Sequence, residues 1–133
     1  MIKHTELRCG NLHEYYIEDK YDERKAWWEV SVIDWNDLRH LEEYPEDSLY
    51  RFIPLSEEWL IRAGFVSEIV KSQDGELTQW YFMDGDTVLF CLDEFVDGKF
   101  FHCVWDHVLI PHIHTLQNIV FTNTGKELTF KDL

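Results

Sequence analysis

The sequence predicts an α+β fold in which a twisted antiparallel sheet of about five or six strands carries two helices. Three Asp-Gly pairs separate apolar and aromatic runs, and such pairs are strong signals of β-hairpins. Two other segments have residues that favour a helix start and end at a glycine. Hydrophobic residues make up 45% of the chain and aromatic residues 16%, which is enough for a packed core and unlike a disordered acidic tail.

The N-terminal part predicts strands at residues 7–16 and 26–33, followed by an extended segment at 50–54. Residues 26–33 are rich in β-branched and aromatic side chains, which favour strands. Residues 34–47 are acidic and only weakly periodic. We therefore expect at most a short helical turn there, at residues 37–43.

The two predicted helices have recognisable ends. Ser56 is a favourable N-cap for the first helix, and Gly64 is a favourable stop. The second helix begins after Pro111 and ends before Gly125. The sequence thus predicts one short helix at about residues 56–63 and one longer C-terminal helix at about residues 112–124.

Between these helices the chain predicts a meander of strands, at residues 65–71, 77–83, 87–95 and 99–110. The three connections between these strands carry the pairs Asp74-Gly75, Asp84-Gly85 and Asp97-Gly98. Antiparallel pairing of consecutive strands follows from these short turns. Residues 127–130 are a further candidate for an edge strand.

We expect a single domain over residues 1–133, because the chain has no repeat, low-complexity stretch or Pro/Gly/Ser-rich linker. No apolar run is long enough to cross a membrane, and the N-terminus lacks the apolar stretch of a signal peptide. The three cysteines, Cys9, Cys91 and Cys103, are odd in number and widely spaced, which does not predict a disulfide framework. These features favour a cytoplasmic protein with reduced thiols.

Charge is the dominant compositional feature: the chain has 26 Asp and Glu but only 12 Lys and Arg, which gives a net charge of −14. A surface this negative repels nucleic acid and anionic membranes and attracts basic proteins. Twelve acids and only four Lys or Arg lie between Glu14 and Asp47. The sequence therefore predicts a partner with a basic surface, such as a nucleic-acid-binding enzyme, and no direct binding of nucleic acid or membrane.

The candidate partner-binding residues are acids of this segment together with two aromatic residues that could anchor a partner. They are Glu18, Asp19, Asp22, Glu23, Asp34, Trp35, Asp37, Glu42, Glu43, Tyr44, Glu46 and Asp47. One interpretation is a solvated surface that aids solubility. The other is a row of carboxylates that imitates the phosphates of a nucleic acid and occupies a basic channel.

The adjacent Trp27 and Trp28 point to opposite faces of a predicted strand. One ring is expected in the core. The other is either covered by a helix or exposed as an anchor for a partner.

Catalytic chemistry has little support in the sequence. Metal-competent side chains cluster late in the chain, at His102, Cys103, His107, His112 and His114. Their spacing contains no C-x-x-C or H-E-x-x-H motif, so we expect no metal or cofactor, with Cys103 in the core and the histidines at surface or cap positions. No nucleophile elbow or P-loop is present, and although paired carboxylates can hydrolyse glycosides, we expect no enzyme activity.

Four short motifs stand out at both ends of the chain and at the first predicted helix. They are Leu7-Arg8-Cys9-Gly10-Asn11-Leu12, Ile53-Pro54-Leu55-Ser56-Glu57-Glu58-Trp59-Leu60 with Ala63-Gly64-Phe65, His114-Thr115-Leu116-Gln117-Asn118, and Thr124-Gly125-Lys126-Glu127-Leu128. This set resembles a family of small uncharacterised proteins from phages and prophages of Bacteroidota bacteria. The resemblance implies a bacterial host cytoplasm as the setting, and the family has no assigned activity.

Charge and resemblance together predict an acidic phage-type inhibitor. It would bind stoichiometrically to a nucleic-acid-handling enzyme of host defence, with anti-CRISPR activity as one concrete form. A first alternative is a phage structural or assembly accessory protein that self-associates. A second alternative is a metal-dependent enzyme that uses the histidine cluster at residues 102–114.

Overall fold

The computed structural model describes residues 7–19, 21–73, 75–103 and 108–133, without the side chains of residues 19, 22–24 and 72. The fold is α+β, as predicted, and ends in a long helix. The chain divides into two compact units, unit 1 (Met1–Ile53) and unit 2 (Pro54–Leu133). Each unit contains one antiparallel sheet, so the predicted strands are shared between two sheets.

The described residues of unit 1 form three strands and one helix. These are β1 (Leu12–Asp19), β2 (Asp22–Val32), α1 (Trp35–Glu43) and β3 (Tyr50–Arg51). The strand order is β2-β1-β3, with both pairings antiparallel. Since β2 and β3 occupy both sides of β1, β1 is the central strand of this sheet.

A tight turn precedes β1, where the sequence predicted the start of a strand. The backbone N–H of Arg8 donates to Asn11 Oδ1 at 2.7 Å, and Gly10 adopts a φ of 95°, which glycine tolerates best. The backbone of Ile33 accepts from Gly10 and donates to Asn11, at 2.9 and 2.7 Å. These bonds fix the turn to the end of β2.

Helix α1 is longer than the predicted turn at residues 37–43. Its start is closed by a capping box in which Asp34 and Asp37 each accept the other's backbone N–H, both at 2.9 Å. Its inner face buries Leu41 in a cluster that also contains Leu7 and Ile33, with Leu38, Tyr50 and Phe52 packed around it. Packing against these distant residues stabilises a helix whose own sequence is weakly periodic.

Unit 2 contains α2 (Glu57–Arg62), β4 (Val66–Ser72), β5 (Gly75–Asp84), β6 (Thr87–Glu94), β7 (Phe100–His102) and α3 (Ile113–Thr124). Its strands follow the chain in the order β4-β5-β6-β7, as the hairpin signals predicted. Helix α3 packs against β6. The core residues of the sheet and helix include Trp80, Phe90, Leu92, Phe100, Ile113, Leu116 and Val120.

The last predicted strands are shorter than expected. In the described part of residues 99–110 the strand is the three-residue β7, and a bridge joins its Phe101 to Leu109. The backbone N–H of Ile110 donates to the Phe100 carbonyl at 2.8 Å, so the returning chain stays beside β7. Residues 127–130 form no strand.

The C-terminal tail is instead held by α2. Arg62 Nε donates to the Lys131 carbonyl at 2.9 Å, and a second guanidinium nitrogen donates to the Asp132 carbonyl. The guanidinium carbon also lies 4.2 Å from the centre of the Trp59 ring, which packs edge-on against Phe130. The backbone N–H of Lys131 also donates to the Arg62 carbonyl at 2.9 Å, so Arg62 holds the tail through both its side chain and its backbone.

The expectation that all cysteines are unpaired is wrong for two of them. Cys91 in β6 forms a disulfide with Cys103, one residue beyond β7. The Cα atoms are 5.7 Å apart, an ordinary spacing for a disulfide. Cys9 is a free, exposed thiol. Among the described residues, no helix has the length and apolar character to cross a membrane.

Reduction of the disulfide is expected to lower the free energy of unfolding by about 3 kcal/mol, because a covalent loop of this size restricts the unfolded chain. Urea unfolding of oxidised and reduced protein measures the difference. In the Cys91→Ser/Cys103→Ser variant the reductant should have no effect, whereas Cys9→Ser should keep the full response. An equal response in both variants would contradict the stabilising role of this disulfide.

Candidate functional site

Helix α1 presents two different faces. Trp35, Arg39, Glu42 and Glu43 are all exposed and fall on one side of the helix at its periodicity of 3.6 residues per turn. The side that carries Leu41 faces the core. We define the α1 surface as Trp35, Glu42, Glu43, Tyr44 and Glu46.

The α1 surface combines exposed rings with carboxylates. Trp35 is 66% exposed and Tyr44 is 55% exposed, although both are large aromatic residues. Residues 34–47 contain six acids and a single arginine. Behind Tyr44 an open groove of about 600 Å³ is lined by His40, Glu43, Tyr44, Pro45, Glu46 and Asp47. The predicted anchors are therefore accessible and lie among acids.

Three of the six acids make hydrogen bonds within unit 1. Asp34 and Asp37 close the start of α1, and Asp37 Oδ1 also accepts the Tyr50 hydroxyl at 2.8 Å. The capping bond from the Asp37 backbone N–H holds the pKa of Asp34 below its usual value. Burial and the bond to Asp37 raise the pKa of Tyr50, so this phenol remains a proton donor at neutral pH.

The third acid, Asp47, holds the loop after α1. Its Oδ2 lies 2.6 Å from His40 Nε2, and its Oδ1 accepts the Leu49 backbone N–H at 2.9 Å. The bond to His40 lowers the pKa of Asp47. The loop that carries Tyr44 and Glu46 is thus fixed at both ends.

A stack of three rings adjoins His40, and no sequence pattern predicted it. Tyr50 stacks on His13 at 5.1 Å between ring centres and on His40 at 5.7 Å. His13 is buried, with Nδ1 3.0 Å from the Ser31 carbonyl, and burial lowers its pKa. Because these residues come from β1, α1 and β3, only the folded sheet brings them together.

The acids of the β1–β2 hairpin are the other part of the predicted partner-binding set. Glu18 is exposed near the end of β1, and Asp19 pairs with Asp22 in the register of the two strands. The side chains of Asp19, Asp22 and Glu23 lie outside the described residues. The Leu49 carbonyl accepts the Tyr16 backbone N–H at 2.9 Å, so the loop after α1 reaches β1 two residues before Glu18.

The tryptophan pair differs from the prediction, since neither ring enters the core. Trp27 is 47% exposed, and Trp28 is half-buried beneath Arg51, whose guanidinium carbon lies 3.9 Å from the ring centre. Arg51 also pairs with Glu14 at 2.6 Å. A cation on the ring accounts for the partial burial of Trp28.

The histidine cluster is only partly assembled in the structure: the rings of His112 and His114 stack with their centres 5.4 Å apart, whereas His102 stacks on Phe90. Cys103 is bonded to Cys91 and is not a small core residue as predicted. His102 and His114 are buried, contrary to the expectation of surface or cap positions, while His112 is the N-cap residue of α3. His107 lies outside the described residues. Within the described part of the chain, no three His, Cys, Asp or Glu side chains are placed to share a metal ion.

Unit 2 contains a carboxylate that the sequence did not single out. Glu94 Oε1 accepts the indole N–H of the buried Trp80 at 3.0 Å. Burial, together with a hydrogen bond and charge repulsion from Glu57, raises the pKa of Glu94. Two carboxyl groups from β6 and α2 therefore share one site.

The motifs that carry the family resemblance have structural roles at several positions. Gly10 and Asn11 form the turn before β1. Ser56 caps α2, and Gly125 is the left-handed C-cap residue of α3. Comparison with protein-family models, curated proteins and solved structures finds no match to this chain.

Replacement of Tyr50 by Phe is expected to lower the free energy of unfolding by about 1–2 kcal/mol, since it removes a hydrogen bond to a charged acceptor. Chemical denaturation of Tyr50→Phe, Asp37→Ala and the double variant measures the coupling. Tyr44→Phe is the matched control, with a change within about 0.5 kcal/mol because Tyr44 is exposed. If the changes in free energy of unfolding for Tyr50→Phe and Asp37→Ala simply add in the double variant, the hydrogen bond between Tyr50 and Asp37 is contradicted.

Replacement of Glu94 by Gln is expected to raise the free energy of unfolding at pH 7 by less than about 1 kcal/mol. Gln keeps an acceptor for Trp80 and removes the repulsion from Glu57. Because the pKa of Glu94 is raised in the folded protein, protonation of Glu94 stabilises the fold. This stabilisation is fully present below the ordinary carboxyl pKa of about 4.3 and is lost as the pH rises through the pKa of the folded protein.

The gain from Glu94→Gln should therefore disappear at about pH 4, near the ordinary carboxyl pKa. Thermal unfolding at the two pH values measures the difference. Glu58→Gln, at the adjacent exposed acid of α2, is the control for a general loss of charge. A gain of the same size at both pH values would contradict the shared carboxyl site.

Proposed function

We propose that this protein binds a basic surface of a partner protein through the α1 surface. It thereby acts as a stoichiometric inhibitor of a nucleic-acid-handling enzyme. One observation supports the proposal above all: two exposed aromatic rings, Trp35 and Tyr44, lie beside three exposed carboxylates. Aromatic side chains that are solvated in the free protein and surrounded by charges complementary to a partner are typical anchors of interfaces.

The inner face of α1 supports the same function by keeping this surface in place. The bond that the Tyr50 hydroxyl donates to Asp37 and the bond between His40 and Asp47 fix the helix and the following loop before any partner binds. Binding then loses less conformational entropy, because side chains and loop are already ordered. Acids that make internal hydrogen bonds thus contribute indirectly to the surface formed by their neighbours.

The remaining charge favours encounter with a basic partner. Unit 1 has 13 acids and 7 Lys or Arg, and unit 2 has 13 acids and 5 Lys or Arg. Both units are therefore net negative. A field of this sign accelerates association with basic channels and weakens as salt screens it. Rapid, salt-sensitive association is what a competitor of nucleic acid requires.

The choice of a host-defence enzyme as the partner rests on the resemblance to phage proteins. Restriction and CRISPR enzymes have basic nucleic-acid channels, and anti-CRISPR activity is one concrete form of the proposed function. The bacterial host cytoplasm is the compartment that belongs to this proposal. In that compartment the Cys91–Cys103 disulfide is exposed to thiol reductants.

Titration of the protein into cleavage assays of purified restriction and CRISPR nucleases tests the proposal. We expect inhibition at near-equimolar ratio against at least one enzyme. The triple variant Glu42→Lys/Glu43→Lys/Glu46→Lys should weaken inhibition at least tenfold, which corresponds to about 1.4 kcal/mol. Trp35→Ala should weaken it by a similar factor through loss of an anchor.

The matched control is Glu58→Lys/Asp86→Lys/Glu127→Lys, which changes net charge equally at exposed acids of unit 2. It should retain most of the inhibition. Equal losses in both triple variants would indicate general electrostatics and contradict a defined surface. Absence of inhibition, with a stable homo-oligomer by light scattering, would favour the assembly alternative.

A further inference from the structure

A groove of about 260 Å³ lies at one end of the unit 2 sheet and shares no lining residue with the α1 surface. Its walls come from β4, β5, the end of β6 and the loop before β7. The lining residues are Ile69, Glu76, Leu77, Thr78, Glu94, Phe95, Val96 and Gly98. In the strand register Ile69 lies opposite Thr78, and Thr78 lies opposite Glu94, so these three side chains share one face.

The apolar lining of the groove is unusually accessible. Ile69 is 67% exposed, Phe95 is 39% exposed and Val96 is 98% exposed. Isolated exposed apolar residues are common, but several around one concave site indicate a contact surface. An aliphatic chain of the right length would cover them.

Acids determine what kind of aliphatic chain can enter. Glu76 and Glu94 line the groove, and Glu57 contacts Glu94. The buried Trp80 donates its indole N–H to Glu94 and so fixes the position of this carboxylate. An anion would be repelled here, and a purely apolar side chain would desolvate a carboxylate without pairing it. A cation on an aliphatic stem satisfies both parts of the lining.

We propose that this groove binds the arginine side chain of a basic segment in a partner protein. The methylene stem packs on Ile69 and Val96, and the guanidinium pairs with Glu94. Arginine fits better than lysine because a planar guanidinium offers several donors at fixed angles to neighbouring carboxylates. The groove lies entirely within unit 2, so this inference does not rest on the function proposed for the α1 surface.

The arrival of a guanidinium also relieves the repulsion between Glu57 and Glu94. Part of the binding free energy then comes from pairing charges that oppose each other in the free protein. Affinity should rise from pH 4 to pH 7, as Glu94 becomes ionised. Glu57 and the Trp80 indole interact with this carboxylate directly, and Glu76, which lies 3.7 Å from Lys71 Nζ, lines the same groove.

Titration of the full chain with N-acetylarginine amide, followed by ¹H–¹⁵N NMR, tests the inference. We expect saturable shifts of the Ile69, Thr78 and Val96 amides and of the Trp80 indole N–H. N-acetylcitrulline amide, which is nearly isosteric and uncharged, should bind at least about tenfold more weakly, as expected for loss of a charged hydrogen-bonded pair. Equal binding of citrulline would overturn the proposal.

Two variants of the same charge change sharpen the test. Glu94→Gln keeps the acceptor for Trp80 and should weaken arginine binding about fivefold or more, since the ion pair is lost. Glu58→Gln should leave the affinity unchanged. Three outcomes would each contradict the assignment of an arginine site. They are an unchanged affinity in Glu94→Gln with a native-like spectrum, shifts spread over all acidic residues, and equal affinity for N-acetyllysine amide.

Discussion

The carboxylate of Asp37 is the constraint on which the candidate surface of unit 1 depends. One of its oxygens accepts a backbone N–H at the start of α1, and the other accepts the Tyr50 hydroxyl from β3. A single side chain thus sets where the helix begins and how it is attached to the sheet. The orientation of Trp35 and Glu42 toward solvent follows from this attachment, because the opposite face of the helix is held inward.

Local signals were sufficient for much of the fold. Ser56, Gly64 and Gly125 act within one turn of the helix ends that they define, so their effect can be predicted without knowledge of the tertiary structure. The Asp-Gly turns are equally local, and the strand order of unit 2 follows from them. These elements could be predicted from their own residues and their hydrophobic face alone.

Features that depend on pairing between distant segments were not predictable in this way. Helix α1 has few apolar positions, and residues from β3 and the following chain complete its core. The Cys91–Cys103 disulfide requires the register of β6 and β7, which the cysteine spacing does not encode. Likewise, the sequence shows that residues 34–47 are acidic, but not that Asp34, Asp37 and Asp47 make internal bonds while Glu42, Glu43 and Glu46 remain exposed.

Among the described residues, β2 and β3 in unit 1 and β4 in unit 2 are edge strands that pair on one side only. Open strand edges can pair with other chains and start aggregation. Mutual repulsion between strongly negative molecules opposes such contacts at neutral pH. That protection disappears close to the isoelectric point of about 4.7, where neutral molecules can approach edge to edge. The acids that favour a basic partner therefore also maintain the colloidal stability of a protein with exposed strands.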